Sequence, residues 1–243
     1  MRLSPGVPLL IWAAILGTVS IAAAQTPPAD AFLRELDASQ PIPGTQLIVL
    51  SEHVDYWNHE GWLDPYSSAA LTERQSLYMR ALGLHEAYTP QFIVDGTTEL
   101  RLRDRREIAQ ILQNAAAAPK IPVSIASIAV DSKTPASVSG RIEVNGQTEA
   151  RKSDIYLGLA LDHVESKVLR SENRGEVLTH VAVLQKLIKI GTLAAGQRMS
   201  QEFRVPLQAG MAPDNVRLIV FAQESGFGKV VGAALERTAG PRS

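Results

Sequence analysis

The feature that most constrains this chain is its punctuation after Pro119. From Ile121 onward, short runs of mixed apolar and polar residues recur between turn signals: Val123 to Val130, Ser137 to Val144, Asp154 to Asp162, Val177 to Ile190, Met199 to Leu207 and Val216 to Gln223. A period of two sends successive side chains to opposite faces, so such runs fold as half-buried strands. About seven strands at this spacing predict a β-sandwich. Asn145-Gly146 predicts a hairpin from Val144 into a further strand. Gly226-Phe227-Gly228-Lys229 lacks the spacing of a phosphate-binding loop and reads as a turn between strands.

Before Pro119 the texture is different. Pro27 and Pro28 fit the first turn of a helix, where a missing N–H is not needed, and Phe32, Leu33 and Leu36 follow at helical spacing. Pro41-Ile42-Pro43-Gly44 ends that helix. Gln46 to Leu50 is a short apolar run of the buried-strand type. Ser67 or Ser68 caps a second helix, with Gly83 near its end. Gln91 to Val94 reads as a strand, Asp95-Gly96 as a tight hairpin turn, and Thr97 to Leu102 as the return strand. Asp104 is the N-cap of a third helix running to Ala118. Pro119-Lys120-Ile121-Pro122 is therefore the expected boundary between residues 25–119 and 120–243.

Composition narrows the function classes. Apolar residues are 45 % of 243, enough for a sizeable core, and the net charge of −1 lacks the basic field of a general nucleic-acid binder. There is no cysteine, so disulfides, thiolate metal sites and thiol nucleophiles are all absent. Met1 to Ala24 has the make-up of an export signal: Arg2 in a short basic region, an uncharged apolar run from Pro8, and Ala22 and Ala24 at an A-x-A site that predicts cleavage before Gln25. The alternative is an uncleaved membrane anchor, although the run is near the lower limit of about 17 residues for a spanning helix. Cleavage would leave no stable membrane anchor and a periplasmic or secreted protein.

Several segments together resemble one bacterial exported family, known only as domain of unknown function 1223. They are Pro27 to Leu36, His53 to Ser68 (HVDYWNHEGWLDPYSS), the helix carrying Arg74-Gln75, Tyr88 to Gly96 (YTPQFIVDG) and Ser171 to Leu184 (SENRGEVLTHVAVL). The order of elements before Pro119 also resembles the thioredoxin fold. The resemblance implies an α/β thioredoxin-like domain followed by an all-β sandwich, with Pro90 cis and the Thr89 backbone free to pair with an extended peptide. In that family a strand and a cysteine motif directly precede the first helix. Here Thr26 stands where the last cysteine would be. Either the first strand and redox turn are lost, the reading ranked first, or Gly17 to Ala24 pairs in their place.

Candidate sites follow from residue type. His53, Asp55, His59, Glu60 and Asp64 are metal-capable side chains in one stretch, but their spacing matches no familiar zinc motif. The plainer reading has His53 and Asp55 locking the loop. Tyr56, Trp57, Trp62 and Tyr66 could stack on a sugar or peptide, or pack the loop. Arg101, Arg103, Arg105 and Arg106 could hold an anion near the start of the last helix, or, interleaved with Glu99, Asp104 and Glu107, form a solvated mixed-charge face, the better reading. Asn173, Arg174, Thr179 and His180 read as loop-locking groups. No serine has a sequence-visible histidine and acid.

The expectation is thus an exported, non-catalytic binding or scaffold protein with no cofactor and no nucleic acid, whose partner is an extended peptide or a protein. The candidate binding residues are Thr89, Pro90, Tyr56, Trp57 and Trp62. The alternatives are a metal-dependent enzyme or metal carrier using His53, Asp55 and His59, and a decayed thiol–disulfide oxidoreductase.

Overall fold

The computed structural model describes residues 15–22, 27–60, 63–133, 135–146, 151–167 and 177–238. Helix α1 spans Pro27–Ser39 and buries Ala29, Leu33 and Leu36 along one stripe. Gln40, in the left-handed region at φ 44°, ends it. Its side-chain amide donates to the Asp37 and Leu47 carbonyls (3.0 and 3.1 Å), and its oxygen accepts from the Leu47 N–H at 2.7 Å. Side-chain bonding of this kind satisfies carbonyls that a helix end leaves open. The chain then runs into β2 (Thr45–Glu52), whose residues are almost all buried.

Helix α2 (Ala69–Ala81) begins at Ser68, whose hydroxyl accepts from the Leu71 N–H, and Gly83 follows its end at φ 65°. Strands β3 (Gln91–Val94) and β4 (Thr98–Leu100) form the hairpin read from Asp95-Gly96, with φ of 50° and 75° at the two turn residues. Helix α3 (Arg105–Ala117) starts at Asp104, whose carboxylate accepts from the Arg106 N–H.

Strand β1 is Ile15–Ala22. It lies between β2 and β3, parallel to the first and antiparallel to the second. The reading ranked first had this strand lost; the segment instead pairs inside the sheet, with a neighbour on each side. Thr26 lies outside the described residues.

The remaining strands are β5 (Val123–Asp131), β6 (Ser137–Asn145), β7 (Ser153–Lys167), β8 (Val177–Leu193), β9 (Arg198–Pro206), β10 (Val216–Glu224) and β11 (Val230–Arg237). One eight-stranded sheet has the order β11-β10-β7-β8-β2-β1-β3-β4, and a three-stranded sheet the order β5-β6-β9.

The expected fold class, an α/β thioredoxin-like domain followed by an all-β sandwich, is therefore corrected. Among the described residues the chain is mostly β, 47 % strand against 22 % helix, with one sheet nearly closed into a barrel and no α/β thioredoxin-like domain. The physical reason lies in β7 and β8. At 15 and 17 residues they are far longer than ordinary strands. That length lets β8 reach β2, where Val183 pairs with Ser51, so the sheet continues across the expected boundary. The hairpin read from Asn145-Gly146 is also corrected. Strand β6 pairs with β5 and β9, and the Gly146 N–H donates to Gln197.

Two apolar clusters follow from this arrangement. The larger lies between the sheets and joins Ile125, Val138 and Ile142 to Ile155, Leu157 and Ile219. The smaller packs Leu33 and Leu36 of α1 and Leu112 of α3 on Leu47, Val49, Phe92 and Val94. Between layers sits a buried ionic cluster. The fully buried Arg217 donates two bonds to Asp37 of α1 (2.7 and 2.6 Å) and one to Asp162 of β7, and Arg237 also reaches Asp162 at 3.0 Å.

Candidate functional site

The alternation of β2 turns Leu47, Val49 and Ser51 toward α1, and His53 follows just beyond the strand. Strand β8 brings His180 to the same place. Both imidazoles are buried, at 1 % and 0 % exposure, and their rings meet edge to face at 5.1 Å. Each is held at Nδ1 by a carboxylate: Asp64 on His53 at 2.6 Å and Asp30 of α1 on His180 at 2.9 Å. Each faces a serine at Nε2: Ser51 on His53 at 3.5 Å, and Ser166 of β7 in short contact with His180. Tyr66 stands edge-on to both rings.

Two Ser–His–Asp relays thus lie side by side. A carboxylate on Nδ1 fixes the ring and readies Nε2 to accept a hydroxyl proton, the arrangement that activates serine nucleophiles. Access decides against that use here. Ser51 is 1 % and Ser166 5 % exposed. Four cavities formed by described residues, of about 220 to 600 Å³, are lined by none of these four side chains. The relays form a polar clamp tying α1, β2, β7 and β8 through buried hydrogen bonds. One carboxylate oxygen of Asp30 has no partner among the described residues.

The residues singled out in the sequence fall into separate groups. His53 joins the clamp. The Asp55 carboxylate accepts from the Thr72 hydroxyl at 2.6 Å, and His59 lies exposed on a short 3-10 turn. No group of three or more His, Asp or Glu able to hold a metal occurs among the described residues. Trp57 is 42 % exposed, and its indole N–H donates to the Thr89 hydroxyl at 3.0 Å. The Thr89–Pro90 peptide is cis. Tyr56 tilts against Trp57, with ring centroids 5.5 Å apart, and burial pushes its phenol up. Trp62, Asn173 and Arg174 lie outside the described residues.

Pro90 lines a cavity of about 410 Å³ together with Tyr88, Phe92, Arg101 and Leu102. Glu99 links its rim, accepting from the Tyr88 hydroxyl at 2.8 Å and from Arg101 at 3.2 Å. Burial works to raise the Glu99 carboxyl, and its bonds from Tyr88, Gln91 and Arg101 hold it below the usual carboxylate range.

Two features were missed in the sequence. One is the pairing of His53 with His180, which needs the β2–β8 contact. The other is Arg74 of α2, quoted above only as part of a motif. Arg74 is 5 % exposed, and its Nε lies 3.1 Å from both carboxylate oxygens of Glu52. Burial works against its charge, and Glu52 more than offsets this, so the guanidinium is held above its ordinary pKa. A charged residue inside an otherwise amphipathic helix is a weak signal, because most such residues face water.

The fold and the clamp define a class: a predominantly β protein with a nearly closed sheet and a histidine pair locked in its interior. The sequence profile of the family described as protein of unknown function (DUF1223) matches residues 20–223, and the chain belongs to that family. A crystal structure of a protein from Agrobacterium tumefaciens is similar over 95 % of this chain and 97 % of that one, at 24 % identity and a TM-score of 0.71. This likeness shows the fold alone. A sporulation control protein from Bacillus subtilis matches over 49 % of this chain and 47 % of its own, at 14 % identity and a TM-score of 0.33. A β-glucosidase from Kluyveromyces marxianus matches over 82 % and 18 %, at 11 % identity and a TM-score of 0.31. No curated protein matches the chain.

Proposed function

We propose that this chain is an exported protein that binds an extended segment of a protein partner and carries out no thiol–disulfide chemistry. The observation that carries the binding reading is Trp57. Its ring is partly exposed yet fixed through its N–H to Thr89, next to the cis peptide of Pro90. A rigid aromatic with one polar handle offers large contact area at little entropic cost, the property of residues that dominate interfaces. The cavity at Pro90, with Arg101 on its rim, supplies an adjoining pocket for a side chain. Dithiol exchange requires thiolate attack, and the chain has no cysteine.

The test selects binders from a library of unstructured peptides on immobilised protein. Selected peptides should lose at least tenfold in affinity on Trp57→Ala. Peptides that bind both proteins equally, or no enrichment at all, would overturn the reading.

The composition of Met1 to Ala24 supports export. Cell fractionation with intact-mass measurement tests it, and a chain found only in the cytoplasm contradicts it. The mass carries further information. Cleavage before Gln25 would remove the segment that forms β1, whereas retention would keep it.

A further inference from the structure

We infer that a second cavity, floored by Arg74, binds a small organic anion with a planar apolar body. The site shares no lining residue with the Pro90 cavity, so the inference stands apart from the peptide reading. It measures about 400 Å³ and lies between α2 and the β7–β8 face, a volume typical of pockets for small molecules.

Three observations point to its ligand. First, the Arg74 guanidinium lies within 5.0 to 5.8 Å of the ring centres of Tyr78, Tyr156, Phe221 and Phe227. Its Nε is committed to Glu52 and its Nη2 to the Tyr78 hydroxyl. Its Nη1 makes no hydrogen bond among the described residues, and Arg74 is one of the residues that line the cavity.

Second, the charge around the cavity is unbalanced. Glu52 neutralises Arg74, and Glu73 at the rim is matched by Arg80. Lys186 lines the same cavity, and none of the ion pairs among the described residues includes it. One positive charge is left over, and a carboxylate is the complement that Arg and Lys together recognise.

Third, the aromatic wall is held in place at a conformational cost. Phe227 sits at φ 63°, a region that non-glycine residues rarely adopt. There its ring packs edge-on to Tyr78 at 5.1 Å and over Arg74. Tyr156, also in the wall, stacks on Phe221 at 5.1 Å. Leu77 and Leu187 complete an apolar enclosure. A flat apolar body against these rings, with its carboxylate toward Arg74 and Lys186, satisfies both halves of the site.

Benzoate is the probe and benzyl alcohol its neutral counterpart. Titration followed by protein NMR should give saturable shifts for benzoate at residues of α2 and β8, and at least tenfold weaker binding of benzyl alcohol. Removing Arg74 would leave Glu52 buried without its partner, so the variants are chosen at the rim. Ala70→Trp fills the exposed mouth and should abolish binding; Lys186→Gln should weaken benzoate about fivefold and leave benzyl alcohol unchanged. Equal binding of the two probes, non-saturable shifts, or full benzoate affinity in Ala70→Trp would overturn the inference.

Discussion

At the scale of single residues, the molecule depends on buried charge that is paired. Glu52 and Arg74 are both nearly inaccessible. Removing one partner of such a pair leaves the other charged in a poor solvent, which costs about 3–5 kcal/mol. Glu52→Gln should therefore lower the unfolding free energy by that amount, obtained from the midpoint and slope of urea unfolding at neutral pH. Asp162 gives a pH signature. Burial works to raise its carboxyl, but Arg217 and then Arg237 hold it below the usual range. A depressed carboxyl contributes stability that is complete above its unfolded value. That stability is lost as the pH falls below about 4 and through the folded value. The fall in urea midpoint between pH 5 and pH 3 should be smaller in Asp162→Asn than in the parent.

At the scale of elements, local sequence was a good guide wherever the signal was itself local. Asp104 caps α3, Ser68 caps α2, and Asp95-Gly96 makes the β3–β4 turn. Asp104→Ala should cost about 1 kcal/mol, the usual loss for a side-chain N-cap, read from thermal unfolding. Gly96 is less replaceable, for two reasons. Its φ is 75°, and an added Cβ would sit 2.6 Å from the Gly228 carbonyl oxygen, a backbone atom that cannot swing aside. Gly96→Ala should destabilise more than Asp104→Ala in the same measurement.

What could not be read locally was strand partnership. All six apolar runs read after Ile121 lie within observed strands or overlap them closely, but their period says which face is buried and not which neighbour is beside it. Hence β6 turned away from β7, and β8 was not expected to meet β2. The candidate site was lost by the same limit. His53 and His180 were each noticed, yet their meeting and their partners Asp30 and Ser166 come from distant parts of the chain. The cis Thr89–Pro90 bond was expected through the resemblance alone, because nothing in the neighbouring residues dictates it.

At the scale of the whole molecule, the large sheet depends on β1. It fills the position between β2 and β3, with eight register pairs to the first and four to the second. Without it two strands would face each other across an open gap, each presenting unpaired N–H and C=O groups. A chain starting at Gln25 should therefore unfold without a sharp thermal transition and bind a hydrophobic dye. The full-length chain should unfold cooperatively and leave the dye unbound.

The position of β1 also sets a contest in time. This stretch leaves the ribosome before either neighbour, and the second of them, β3, emerges only after two helices and another strand have been made. At about 5–20 residues per second, the segment waits for seconds with no mate on that side. Any receptor that grips an apolar N-terminal stretch competes with the sheet for it during that interval. Capture of the segment before β3 arrives would leave β2 and β3 without the strand that joins them.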